Sequence, residues 1–196
     1  MKFINNVNET LRDDMAAEMQ KGSKLSIAAA YFSIYAFEAL RKELSNIDEL
    51  RFIFTDPTFI QKENSKKEKR EFYIPDLRRE RGIYGTEFEV KLRNELNQKA
   101  IAKECAEWIK KKVTFKSNVG NKDITDKFIL LDDKAYFPVN GFTTVDLGCE
   151  QGNNMGTNIA KVASPMSLTL LEQFEKLWQN NEELKDVTDK VISSIS

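Results

Sequence analysis

Histidine is absent from the 196 residues, and that absence removes a large part of enzymology. Ser-His-Asp triads, HExxH or mixed Cys/His zinc sites and phosphohistidine chemistry all need an imidazole, so this chain as written builds none of them. Cysteine is scarce: Cys105 and Cys149 are the only two. They form no CxxC pair and are too few for a disulfide framework, which fits a reducing cytoplasm and gives no zinc site. The N-terminus lacks the apolar run of a signal peptide, and no stretch approaches the roughly 20 apolar residues of a membrane span. The expected location is the cytoplasm, with no membrane partner. Neither charge sign dominates, since 30 Lys and Arg face 31 Asp and Glu for a net charge of -1. Attraction to nucleic acid would therefore have to come from local patches.

What is present describes a soluble globular chain. At 22.6 kDa it is about one domain by length, which excludes a complete helicase or kinase. Hydrophobic residues make up 41% and charged residues 31%, and 13 Phe supply large core side chains. No internal repeat, low-complexity segment or second domain is visible, so residues 1–196 read as a single domain.

Hydrophobic spacing predicts the elements. Val7, Leu11, Met15 and Met19 form a helical stripe ending at Gly22-Ser23. Leu25 to Phe32 is almost wholly apolar, as in a central strand buried on both faces. Phe37, Leu40 and Leu44 restore helical spacing, and Leu50 to Thr55 is a second strand closed by Asp56-Pro57. Strand, helix, strand implies a parallel pair with a right-handed crossover. Thr86 to Glu89 has capping-box form, and Phe88, Leu92, Leu96, Ile101, Cys105 and Trp108 continue a helix to Lys112. Val113 to Ser117, Lys127 to Asp133 and Tyr136 to Phe142 read as strands with an antiparallel portion. A helix starting at Ser164-Pro165 should bury Leu168, Leu171, Phe174 and Trp178, and a last helix after Asn181 should bury Leu184, Val187, Val191 and Ile195. The expected fold class is α/β, a mixed β-sheet flanked by helices.

Several blocks carry a resemblance. LSIAAAYFSIYAFEALRKEL (residues 25–44) followed by LRFIFTDPTF resembles the opening of phospholipase D-like domains, especially those at the N-terminus of large bacterial Swi/Snf-type helicases. REFYIPDLRRERGIYGTEFEVKLRNELNQKAIAKECAEWI and NGFTTVDLGCEQGNNMG point to the same subgroup, and the similarity covers nearly the whole chain. It implies a phospholipase D-like fold, an ATP-dependent helicase core following this chain in the same polypeptide, and a homodimer, since single-motif members pair about a twofold axis. In the wider family, HxKxxxxD and a later GSxN-like turn supply an attacking imidazole, a Lys and an Asn that hold phosphate oxygens, and a supporting Asp. The matching register here is Thr125, Lys127 and Asp132, so threonine replaces the nucleophile. The GSxN positions fall on Val139, Asn140 and Phe142, with Asn140-Gly141 as a shifted match. A threonine hydroxyl needs activation before it attacks a diester. The resemblance thus implies a scaffold that has lost diesterase chemistry, needs no cofactor and retains phosphate contact at Lys127. Against this stands the plain alternative that Lys127 and Asp132 merely flank an apolar strand.

Other candidates compete. Between Lys62 and Arg81, eight basic residues stand against five acidic ones. Lys66, Lys67, Lys69, Arg70, Arg78, Arg79 and Arg81 there are interleaved with Phe72 and Tyr73, the combination expected of single-strand binding. Lys99, Lys103, Lys110, Lys111, Lys112 and Lys116 form a second basic region. For both, a solvated, salt-bridged surface explains the same charges. Asp132-Asp133-Lys134 with Asp56 suggests a Mg²⁺-dependent nuclease, although Glu89-Val90-Lys91 shows how cheaply such a triplet arises. The glycines of the Gly148 to Gly156 loop permit close approach to a ligand, but the Lys-Ser/Thr ending of a P-loop is missing. The leading expectation is a noncatalytic accessory domain of a DNA helicase that binds DNA, or RNA, weakly and without sequence preference. A nuclease using Asp56 and Asp132, or a protein-interaction or dimerisation module, are the alternatives.

Overall fold

The computed structural model describes residues 1–56, 95–120, 122–151 and 156–195. Strand β1 (Lys2–Ile4) comes first. Thr10 then caps helix α1 (Leu11–Glu18) by accepting the Asp13 amide at 3.1 Å. Val7, expected on this helix, lies before the cap and is exposed. Gly22, at φ +86°, turns the chain into β2 (Lys24–Ala29). The expected long strand breaks at Ala30, and β3 (Tyr31–Phe32) leaves for a separate two-stranded sheet. Helices α2 (Ile34–Ala39) and α3 (Arg41–Leu44) lead to β4 (Glu49–Phe54). Helix α4 (Glu95–Lys112) follows, then β5 (Val113–Asn118), β6 (Phe128–Leu131), β7 (Lys134–Phe137), β8 (Gly141–Phe142) and β9 (Ile159–Val162). Helix α5 (Ser167–Trp178), strand β10 (Leu184–Asp186) and helix α6 (Thr188–Ile195) complete the order.

Among the described residues, one sheet runs β1-β9-β7-β6-β2-β4-β5-β10. The expected parallel pair is present: β2 lies parallel to β4, and β4 to β5. All other pairings in this sheet are antiparallel, including β2 with β6. The two-residue alternation of a strand divides the core. Leu25, Ile27 and Ala29 of β2 and Leu50, Phe52 and Phe54 of β4 join α1, α2, α4 and α6 on one face. Phe32, Phe52, Phe54 and Phe115 interlock there, with ring centroids 4.8 to 5.8 Å apart; each such buried ring contributes about 1.5–3 kcal/mol. Ala28, Ile53, Phe128 and Leu130 face the other way, under Phe174 of α5. Arg51 shares that face, its guanidinium over the Phe174 and Trp178 rings while it donates to Ser26 and Glu175. The result is a mixed sheet flanked by helices, as the spacing predicted.

Three expectations near the C-terminus need correction. Strand β9 was not foreseen. Helix α5 begins at Ser167 rather than at Pro165, and of its expected apolar face only Phe174 is fully buried, Leu168 being exposed. Leu184, Val187, Val191 and Ile195 are all buried, yet they do not share one helix. Leu184 pairs across β10 with Asn118, and the Asp186 side chain accepts the Thr188 amide before α6 starts.

Candidate functional site

The parallel strands β2, β4 and β5 end on one side of the sheet, and β6, antiparallel to β2, begins there. Residues that leave or enter these strands therefore converge. Thr55 and Asp56 follow β4, Asn118 closes β5, and Gly120, Lys122, Asp123, Ile124, Thr125 and Lys127 lead into β6. They line a cleft of about 410 Å³, within the range of small-molecule sites.

Asn118 holds its walls. It is buried, and its Nδ2 donates to the Thr55 carbonyl at 3.1 Å and the Lys122 carbonyl at 2.9 Å. Its Oδ1 accepts the Gly120 amide at 3.0 Å. One side chain thus ties the exit of β4 to the loop before β6. From the other side, the Val139 amide donates to the Lys127 carbonyl at 3.0 Å, and the Ala30 amide to the Asn140 carbonyl at 2.9 Å.

The polar groups left over decide the chemistry. Lys127 is half-buried, and among the described residues its ammonium has no ion pair or hydrogen bond; the same is true of the exposed Lys122. The Thr125 hydroxyl is exposed and hydrogen-bonds to no described residue, so no general base touches it. Asp56 and Asp123 add two carboxylates to the lining. The arrangement offers an unpaired ammonium at Lys127 and, among the described residues, no base bonded to the Thr125 hydroxyl.

The structure brings Thr125 and Lys127 together and separates Asp132 from them. Asp132 sits past the far end of β6 at φ +52°, where its carboxylate accepts Ser23 Oγ at 2.8 Å and the Lys24 amide at 3.0 Å. It pins the β6–β7 turn to the start of β2. This corrects the nuclease expectation. Asp56 and Asp132 both follow strand ends, but β4 and β6 run in opposite directions on either side of β2. The six residues of β2 then part the two carboxylates by roughly 20 Å, whereas Mg²⁺ binds its oxygens at about 2.1 Å. Among the described residues no cluster of three metal-binding side chains occurs. Asn140 lies at the cleft end, exposed, with its carbonyl committed to Ala30.

Lys66, Lys67, Lys69, Arg70, Phe72, Tyr73, Arg78, Arg79 and Arg81 lie outside the described residues, as does Glu89-Val90-Lys91. The second basic region is partly tied down. Lys110 pairs with Glu107, Lys112 donates to the Ser45 and Ile47 carbonyls, and Lys116 donates to the Trp178 carbonyl while lying 4.3 Å from that ring's centroid. Sequence reasoning passed over Thr55, Asn118, Lys122 and Asp123. The only local signal was the Asn118-Val119-Gly120 turn composition.

No protein-family model matches the chain, and no curated protein does. A solved structure does: the crystal structure of phosphatidylserine synthase from Haemophilus influenzae Rd KW20, a phospholipase D-superfamily protein, superposes with a TM-score of 0.56 over 95% of this chain at 13% identity. The fold is phospholipase D-like. At this identity the likeness concerns architecture alone, and the chain spans 39% of that protein's length. Among the described residues no helix is long and apolar enough to cross a membrane. Thr125 and Lys127 both line the cleft at the end of the sheet where β2, β4 and β5 finish.

Proposed function

We propose that this phospholipase D-like domain binds the phosphodiester backbone of nucleic acid at Lys127 without cleaving it. One observation carries the reading: a half-buried lysine, in the register where the family holds phosphate, lines a cleft with no carboxylate paired to it among the described residues. A half-buried ammonium loses part of its hydration, and an unpaired one regains that energy by meeting an anion. Backbone contact of this kind gives affinity without sequence readout. With Thr125 in place of the family's imidazole and no base bonded to it among the described residues, the bound diester persists. The sequence blocks support an accessory role beside a helicase motor in the same polypeptide, and the basic, aromatic stretch from Lys66 to Arg81 supports further contact with a single strand.

Fluorescence anisotropy with a labelled single-stranded oligonucleotide, at several salt concentrations, tests the reading. Wild type should bind, weakening as salt rises; Lys127→Gln should bind less and show a shallower salt slope. Equal binding by both proteins overturns the assignment to this cleft. Vesicles of anionic phospholipid form a parallel arm, and preference for them over oligonucleotide replaces nucleic acid with a lipid headgroup. Turnover of a diester substrate that disappears in Thr125→Ala refutes the noncatalytic claim.

A further inference from the structure

Asn140-Gly141 is the one Asn-Gly step in the chain. An asparagine can lose ammonia to its own backbone when the amide nitrogen of the next residue attacks Cγ and closes a succinimide ring. The reacting atoms are tethered through the Asn Cα, so no binding step is needed, and glycine, with no Cβ, leaves the nitrogen unhindered. The proton on that nitrogen limits the step, because a peptide amide attacks poorly until a base removes it.

The fold places a base there. Gly141 opens β8, opposite Tyr31 of β3. Its amide donates to the Asp146 carboxylate, which lies so close that a Cβ on residue 141 would stand 3.1 Å from Oδ2. The turn that brings Asp146 back is fixed. Thr143 Oγ1 donates to Oδ2 at 2.7 Å and accepts the Asp146 amide at 3.1 Å, while Asn6 Nδ2 donates to the Asp146 carbonyl at 3.0 Å. These neighbours are neutral, and among the described residues no ion pair reaches the carboxyl. Burial lifts its pKa to about 6, which makes it a stronger base than an ordinary aspartate and leaves it ionised at neutral pH. Asn140 itself is exposed; its carbonyl accepts the Ala30 amide at 2.9 Å, but its side-chain amide hydrogen-bonds to no described residue.

We propose that Asn140-Gly141 is a self-modification site in which the Asp146 carboxylate is the general base. Asp146 takes the Gly141 amide proton as the nitrogen bonds to Asn140 Cγ, then passes it to the departing side-chain nitrogen, which leaves as ammonia. Water opens the succinimide at either carbonyl and yields aspartate or isoaspartate. Both products place a new negative charge at the cleft end, beside Val139, whose amide bonds to the Lys127 carbonyl at 3.0 Å. A carboxylate that only anchored Gly141 would act in the opposite direction, holding the nitrogen still and protecting the step.

The experiment ages wild type and Asp146→Asn at several pH values and reads the amide-to-acid mass change at residue 140 by peptide mapping. A synthetic peptide of residues 136–146 is the unfolded control. Asp146→Asn should convert about a hundredfold more slowly than wild type. The wild-type rate should level off above pH ~7, where Asp146 is ionised, while the peptide rate keeps rising with hydroxide. Conversion in Asp146→Asn as fast as in wild type, at an unchanged melting temperature, overturns the proposal. If that variant melts lower, the pH profile decides: a wild-type rate that rises in parallel with the peptide overturns the role of Asp146. A wild type that stays intact while the peptide converts overturns the site itself.

Discussion

Tyr136 donates its hydroxyl to Asp14 at 2.6 Å, tying the buried middle of β7 to α1. Lys161 from β9 reaches the same carboxylate at 2.8 Å, and Lys2 from β1 at 2.6 Å. Burial by itself raises the pKa of Asp14, yet the bonds from Lys161, Lys2 and Tyr136 prevail and pull it from 3.8 to about 2. Burial and the bond to Asp14 together hold the Tyr136 phenol well above its usual range.

The first prediction follows from that network. A carboxylate whose folded pKa lies below its unfolded one adds stability above the unfolded value, and that stability is lost as pH falls through the folded value. Asp14 should therefore stabilise fully above pH ~4 and contribute progressively less towards pH 2. Asp14→Asn should cost about 2–3 kcal/mol at neutral pH, since among the described carboxylates Lys161 keeps only Glu18. Urea denaturation from pH 2 to 7 checks this: the gap between wild type and variant should close at the acid end.

Asp146 has the opposite sign. Burial lifts its pKa from 3.8 to about 6, although Thr143 Oγ1 at 2.7 Å and the Gly141 amide both donate to it. Here the folded state holds its proton longer than the unfolded one, so stability should fall as pH rises from ~4 to 6, by about 3 kcal/mol. Asp146→Asn should remove that slope. The same denaturation series, read between pH 4 and 7, decides it.

Asn118 is expected to be structural rather than ligand-binding. Asn118→Ala leaves the Thr55 and Lys122 carbonyls and the Gly120 amide without their shared partner. The expected loss is about 2–3 kcal/mol. Hydrogen exchange should localise the faster opening to the ends of β4 and β5, and protection unchanged there counts against the role.

Asp132 should matter for stability and not for binding. Asp132→Ala removes the bonds to Ser23 and Lys24 and leaves a left-handed residue without side-chain support; a cost of about 1–2 kcal/mol is expected. Oligonucleotide affinity should stay at the wild-type level with or without Mg²⁺. A metal-dependent loss of affinity in this variant would restore the carboxylate to the site.

The sequence by itself determined the element types and part of their pairing. The near-continuous apolar run from Leu25 and the apolar segment from Leu50 implied two buried strands, the helical spacing between them implied a crossover, and a parallel pair is what forms. The TxKxxxxD register placed Thr125 and Lys127 together because they lie two residues apart. Tertiary structure decided the rest. Asp132 shares the motif with Lys127, yet a strand carries it to the opposite end of the sheet, and only the direction of β6 relative to β4 shows that Asp56 is not its neighbour. Leu184 and Val187 have helical spacing, but an open sheet edge at β5 captures Leu184 first. Periodicity records which face a residue buries; which distant strand lies beside it, and in which direction, is set by contacts between residues far apart in the chain.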